Sequence, residues 1–249
     1  MNHIIHDSVK LGENVQIGYF SVVGENVVLG DNVSIGNNVT IHEGTIIDAG
    51  VTISDNCVIG RWPKPAKAST VKVDADLAPL SIGEGTTIGA NTVLYRGSTI
   101  GKEVMVGDLA SIREKCTIGD RAVVGRGVAV ENQVKIGAKT KIQTNSYITA
   151  YTTIEEEVFI APTVTTTNDN FMGRTKERFQ FVKGATIKRG ARVGGASVLL
   201  PGVTIEEESF IAAGALVNRD TEKAKVYIGV PARVLRDVPD REKLDQQDK

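Results

Sequence analysis

The sequence predicts an all-β chain wound into a parallel β-helix of about ten triangular coils, and three observations carry that prediction. An aliphatic residue recurs every six positions from Ile82 to Ile160, fourteen times without a slip, and the same phrase runs ten times from Ile5 to Ile59 and six times from Ile187 to Val217. Two residues before the aliphatic position stands a Val, Thr, Ala, Ser or Cys in most hexads. Glycine follows it at Gly83, Gly89, Gly101, Gly107, Gly119, Gly125 and Gly137. Helices place apolar residues at offsets of three and four and simple strands alternate them, so a fixed period of six marks a stacked repeat.

Each hexad reads as a short strand and a turn forming one flat side, with the aliphatic residue pointing inward. The second inward position lies near the corner, where only a small or β-branched side chain has room. The glycines are expected to supply corner dihedrals that a Cβ would penalise. Three sides close a coil, each coil pairs with its neighbours roughly 4.8 Å away, and ten coils make a prism on the order of 50 Å long. No coil buries its interior alone, so residues 1–238 are expected to form one domain, followed by a polar tail over 239–249. The hexapeptide pattern resembles that of the left-handed β-helix family, which runs against the right-handed rule for parallel crossovers. The expected hand is taken from that resemblance.

Composition narrows the functional classes. Twenty-nine basic and 30 acidic residues leave a net charge of −1, which argues against a bulk nucleic-acid or membrane-surface binder. No apolar stretch reaches about 18 residues, so no membrane span is expected, and the start MNHIIHDSVK lacks the basic-then-apolar order of a secretion leader. A cytoplasmic protein is the default. Cys57 and Cys116 each precede an inward aliphatic by two residues and read as small buried hydrophobes rather than a disulfide or a nucleophile. His3, His6 and His42 invite comparison with hexapeptide-repeat carbonic anhydrases, in which three histidines bind a metal. His6 and His42 fall on the same side two coils apart, roughly 9.6 Å, beyond the reach of one ion within a chain. All three are read as surface turns, and no metal is expected to be required.

Two interruptions break the hexads. The first, 61–80, holds Pro63, Pro65 and Pro79, which cannot donate ladder hydrogen bonds, so it leaves the coil. It also holds Arg61, Lys64, Lys67, Lys72 and the chain's one tryptophan, Trp62. Two readings stand for it: an acceptor-binding loop in which Trp62 stacks a base and basic groups such as Arg61 face phosphate, or a loop that packs Trp62 on the prism. The second interruption, 165–184, reads TTTNDNFMGRTKERFQFVKG.

Around this second interruption the string KIQTNSYITAYTTIEEEVFIAPTVTTTNDNFMGR, Lys141 to Arg174, resembles the bacterial sugar-nucleotide N-acetyltransferases that acylate a 3-amino sugar. There a coil ending in K-I-Q is followed one coil later by T-N-D and then an arginine. The likeness continues to Gly229-Val230-Pro231-Ala232-Arg233, which is similar to the G-[NV]-P-A-[KR] close of hexapeptide acyltransferases. It covers roughly residues 82–238. The resemblance implies a homotrimer that takes acetyl-CoA or another acyl-CoA as co-substrate and a nucleotide-linked amino sugar as acceptor. It makes Asn168 and Asp169 the catalytic pair beside the thioester and Arg174 an acceptor contact. Pantetheine lies between subunits in the resembling enzymes, which makes Gly195, Ala196, Ala213 and Gly214 its expected contacts, with Lys188, Arg189 and Arg233 reaching the CoA phosphates. The bland reading of Asn168 and Asp169 is a pair of turn residues.

No histidine lies beyond His42. A hydroxyl acceptor needs a base to remove its proton, whereas an amine is already partly free near neutral pH and attacks directly. That favours N-acylation over an O-acyltransferase or a lipid-precursor acyltransferase on the same scaffold; a structural prism stands as a separate, non-enzymatic reading that CoA binding would distinguish. The segment VYIGVPARVLRDVP is expected to fold back over the open end of the stack, and Asp240 to Lys249 to form a short exposed helix or frayed tail.

Overall fold

The computed structural model describes residues 3–69 and 73–247; Lys72 and the last two residues lie outside them. The chain coils into a left-handed parallel β-helix with three flat faces, its sheets holding 11, 10 and 12 strands. The first face begins with Ile4–Ile5, the second with Lys10–Leu11 and the third with Gln16–Ile17. Most strands are two residues long and pair in parallel with the strand one coil away, as Val93↔Ser111 and Leu94↔Ile112 do. The stack is slightly taller than the ten coils expected. One extra strand is Thr165–Thr166 on the first face, where Thr166 is fully buried in the aliphatic position and so hides the hexad from a search for aliphatics. The second excursion therefore leaves the coil after Thr166.

The interior is one continuous apolar cluster of the inward rows. The small inward position does more than fit. Ser98 Oγ donates to the Arg113 carbonyl at 2.7 Å and accepts from Cys116 N at 3.0 Å, tying neighbouring coils together. Thr86 and Thr140 make the same two bonds. Cys116 Sγ lies 3.0 Å from the Glu131 carbonyl, and burial pushes its thiol pKa up to about 12. Thr152 Oγ1 is buried without a partner, at the level where the second excursion takes the next coil's corner away.

The corner glycines have a different reason from the one expected. Positive φ falls three residues after the aliphatic position, at Asn14, Asn32, Asn91 and Asn145 for example, where asparagine tolerates the left-handed region. Gly83 and its equivalents are instead sites of close approach: a Cβ on Gly83 would sit 2.7 Å from the backbone of Gly101 in the next coil. Closely stacked corners exclude a side chain there.

At the far end, Lys225–Ile228 joins the third face and turns back as the antiparallel strand Arg233–Asp237. Tyr227 and Ala232 enter the core cluster, so this hairpin closes the last coil as expected. Beyond it two short 3-10 turns, Asp240–Glu242 and Leu244–Gln246, are held by Arg192 Nη1 to Glu242 at 3.1 Å and by Leu244 N to Glu208 Oε1 at 2.9 Å. No helix among the described residues is long and apolar enough to cross a membrane.

Candidate active site along one corner

Both excursions leave from the same edge of the prism, the first corner, between the first and second faces. Four coils separate Tyr95 from Thr167 on this edge, roughly 19 Å. Over that stretch the residue after the aliphatic position is Tyr95, Arg113, Glu131, Thr149 and Thr167, while glycine holds it at Gly101, Gly119 and Gly137 on the second corner and at Gly107 and Gly125 on the third. The position after that is buried on the first corner, at Arg96, Glu114, Asn132 and Ala150, but exposed and charged at Glu84, Lys102 and Asp120 on the second. The chain thus gives up glycine after the aliphatic residue throughout this stretch of the first corner, and over the same stretch only at Glu155 on the second and at Gln143 and Ala161 on the third; on the first it fills the space mostly with polar side chains. The missing glycines were visible in the sequence and are the signal that reading hexads one at a time overlooks.

The lower end of this corner is shut. Trp62 Nε1 donates to Glu43, and the Arg96 guanidinium lies 3.9 Å from the centre of the Trp62 ring. Arg96 also donates to Glu43 Oε1 at 3.2 Å and to the Leu77 carbonyl at 3.1 Å, and is 7% exposed. One face of Trp62 is therefore covered, as in the packed-loop reading. Burial lowers the His42 pKa, with Glu43 opposing it. Arg61 is exposed, with its guanidinium 5.5 Å from the Tyr95 ring centre. The excursion runs up the corner as far as an ion pair between Asp74 and Lys115.

The middle holds an ion cluster. Arg113 forks onto Glu114 through Nε at 3.1 Å and Nη2 at 2.9 Å, and reaches Glu131 Oε2 through Nη1 at 3.2 Å. Burial works to lower the Arg113 pKa, but the bonds to Glu114 and Glu131 outweigh it and the pKa rises. Tyr147, half-exposed one coil above, has its pKa raised by burial first and by the Glu131 charge second.

At the upper end Asn168 Nδ2 donates to the Ala150 carbonyl at 3.4 Å and the Asn168 carbonyl accepts from Lys183 N at 3.0 Å. Asp169 accepts from Phe171 N at 2.8 Å, from Gly173 N at 2.9 Å and from Arg178 Nη1 at 2.5 Å. The Gly173 bond leads the causes that hold its carboxyl below the ordinary aspartate pKa. Both Asp169 oxygens are occupied by its own loop, so the side chain organises the excursion and is a poor proton acceptor. Arg174 is exposed, and the loop-fixing arginine is Arg178, which the sequence did not single out.

The other expected residues lie on different edges. Gly195, Ala196, Ala213 and Gly214 sit on the third corner, across the first face from Asn168, with Gly214 N bonded to the Gly195 carbonyl at 2.8 Å. Lys188 and Arg189 sit on the second corner, where Lys188 pairs with Glu206 at 2.7 Å and Arg189 with Glu157 at 2.6 Å. Arg233 lines a cavity at the top of the first corner together with Arg219, Asp220 and Tyr227. One protomer does not gather the whole set. No group of three metal-ligating side chains occurs among the described residues.

The family described as bacterial transferase hexapeptide (six repeats) matches residues 8–43 and 97–132, and the hexapeptide repeat of succinyl-transferase matches 79–107 and 185–219. The chain is 43% identical over 58 residues to galactoside O-acetyltransferase of Escherichia coli, covering 23% of this chain and 29% of that protein. It is 36% identical over 74 residues to the bifunctional protein GlmU of Rubrobacter xylanophilus, covering 30% and 14%. A mitochondrial gamma carbonic anhydrase 2 of Arabidopsis thaliana matches at 36% over 63 residues, 24% of this chain and 23% of that one. The matches thus span less than a third of these curated relatives. Among solved structures, the UDP-N-acetylglucosamine acyltransferase of Bacteroides fragilis overlays with a TM-score of 0.58 at 21% identity, over 94% of this chain and 72% of that one. At that identity the overlay shows a shared fold.

Proposed function

We propose, from the chain's membership of the hexapeptide-repeat transferases, that it moves an acetyl or other acyl group from CoA to the amino group of a nucleotide-linked amino sugar. The observation that carries this is the first corner, a polar edge bracketed by two excursions. Functional residues concentrate on loops held by a rigid frame.

A second copy is needed to complete the site. The outward residues of the first face include Val22, Val58, Val93, Ala129, Val198 and Leu216, and none of the positions just before its inward row is charged, whereas on the other faces those positions carry Lys10, Lys135, Lys141 and Arg192. Parallel strands that read as apolar on both sides are ordinarily covered on both. Three copies turned with this face toward a common axis bring the first corner of one against the third corner of the next. That sets Asn168 across from Ala196 and Gly214, which supports a homotrimer with pantetheine in the shared crevice and Arg233, joined by Arg219, toward the CoA phosphates. Lys188 and Arg189, already paired on the second corner, are left out of this arrangement.

In the reaction the amine lone pair attacks the thioester carbonyl, the C–N bond forms, the C–S bond breaks, and the departing thiolate takes the proton. The side-chain amide of Asn168 aims the amine; Asp169 holds the loop that carries it. Acceptor orientation of this kind supplies much of the rate without a strong base. The hydroxyl-acceptor reading draws on the galactoside O-acetyltransferase match. A histidine base is not at hand for it within one protomer, because both histidines on the first corner, His6 and His42, lie below the Trp62 plug.

The test is thiol release from acetyl-CoA with glucosamine and 3-amino-3-deoxyglucose, each free and UDP-linked, against the matching neutral sugars. Amine-dependent release, reduced by Asn168→Ala, is expected. Release with the neutral sugars alone supports the O-acyl reading, and failure of calorimetry to detect CoA binding at millimolar concentration leaves a structural prism.

A further inference from the structure

Three carboxylates stand on the first corner between Arg113 and the second excursion, and they are not equivalent. Asp169 gives Oδ1 to Phe171 N and Oδ2 to Gly173 N and Arg178. Glu114, 4% exposed, gives both oxygens to Arg113. Glu131 gives only Oε2, to Arg113 Nη1, and its side chain is 26% exposed. Its Oε1 has no hydrogen bond among the described residues. Because Glu114 fixes Arg113 through two bonds, Arg113 in turn fixes the direction in which Glu131 presents that free oxygen.

We infer that Glu131 reads the acceptor's sugar ring, accepting a hydrogen bond at Oε1 from a ring hydroxyl while the amine lies at Asn168. The inference rests on the acyltransferase reading above. Glu131 and Thr167, the neighbour of Asn168, occupy the same corner position two coils apart, roughly 9.6 Å. A single pyranose ring with a hydrogen bond of about 2.8 Å at each end bridges that separation. Tyr147, 40% exposed and paired one coil above Ala129, offers an aromatic ring on which a sugar packs. Two carboxylates against one guanidinium leave the cluster net acidic, so it turns away the acceptor's phosphates and admits its hydroxyl-bearing ring. Glu131 is thus a specificity residue, and Arg113 and Glu114 are positioning residues that act through it.

Steady-state kinetics of the full chain with acetyl-CoA and the amino-sugar panel test this. Losing a charge-assisted hydrogen bond in Glu131→Gln is expected to raise the acceptor KM roughly ten- to a hundredfold, with the acetyl-CoA KM unchanged. Glu131→Asp, which keeps the charge but draws the oxygen back, is expected to fall between the two. Deoxy analogues of the active amino sugar supply a readout that a structural role does not move: one of them should show the same KM with wild type and with Glu131→Gln. An unchanged acceptor KM in Glu131→Gln while Asn168→Ala is impaired overturns the inference and leaves the transferase reading standing. So does a parallel rise in the acetyl-CoA KM. Absence of thiol release by wild type with every amine overturns both.

Discussion

Arg178 Nη1 stands 2.5 Å from Asp169 Oδ2 across nine residues of the same excursion, and this pair closes the loop that carries Asn168. The bond joins two backbone donations from Phe171 and Gly173, and together they hold the Asp169 pKa below its ordinary 3.8. A depressed carboxylate pKa contributes order that is complete above the ordinary pKa and fades as pH falls through the lowered one. Protection from hydrogen exchange over 169–183, corrected for the intrinsic pH dependence of amide exchange, is therefore expected to stay constant from neutral pH to about 4 and to fall only below it. Arg178→Ala should raise exchange there at neutral pH while the coils stay protected. Equal exchange in wild type and variant would contradict the assignment.

The Arg96 stack on Trp62 ties the first excursion to the prism. With one tryptophan in the chain, its fluorescence reports the surroundings of Trp62. Arg96→Met is expected to red-shift the emission and open the segment around Lys64 and Lys67 to trypsin, without unfolding the stack. An unshifted spectrum would mean that Trp62 is held by other contacts.

Gly83 and Gly214 separate two uses of glycine. A Cβ on Gly83 meets the Gly101 backbone at 2.7 Å, whereas Gly214, with φ of +71°, has nothing within 4 Å. Gly83→Ala must push two coils apart, and a loss of about 1–3 kcal/mol in urea unfolding is expected. Gly214→Ala meets only the left-handed backbone penalty, about 1 kcal/mol.

Cys116 is held as a thiol by burial, its pKa near 12, and Cys57 is shifted the same way. Neither is expected to react with a thiol reagent at pH 8 until urea opens the stack. Cys116→Ser should be tolerated, because Ser98 makes the equivalent bond one coil below. Cys116→Val removes the donor to the Glu131 carbonyl and is expected to cost about 1 kcal/mol more than the serine variant.

The stack was legible because its core position is written in one residue class at one spacing. Ile82, Ile88 and Leu94 announce three faces before any contact is known. Thr166 was not legible, since a threonine in the aliphatic row reads as the end of the repeat although it pairs and is buried like its neighbours. The corner glycines were found but given the wrong cause, because a dihedral and a collision between coils leave the same letter in the sequence. The loop with Asn168 and Asp169 was located by resemblance, yet the occupation of Asp169 by Phe171, Gly173 and Arg178 depends on how eighteen residues fold off the frame, which no period encodes. The Arg113 cluster needed columns, not rows: only with coils aligned does one edge stand out as lacking glycine.

Both long excursions spring from one edge, and each coil is bonded only to the coils above and below it. Chemistry and architecture are therefore separable in this molecule. Exchanging residues 170–182 or 64–76 for unrelated segments of other lengths is expected to leave every remaining coil in register, because Thr167 and Leu80 stay in the ladder. A chain built this way can change what it recognises by trading its side branches while its trunk is inherited intact.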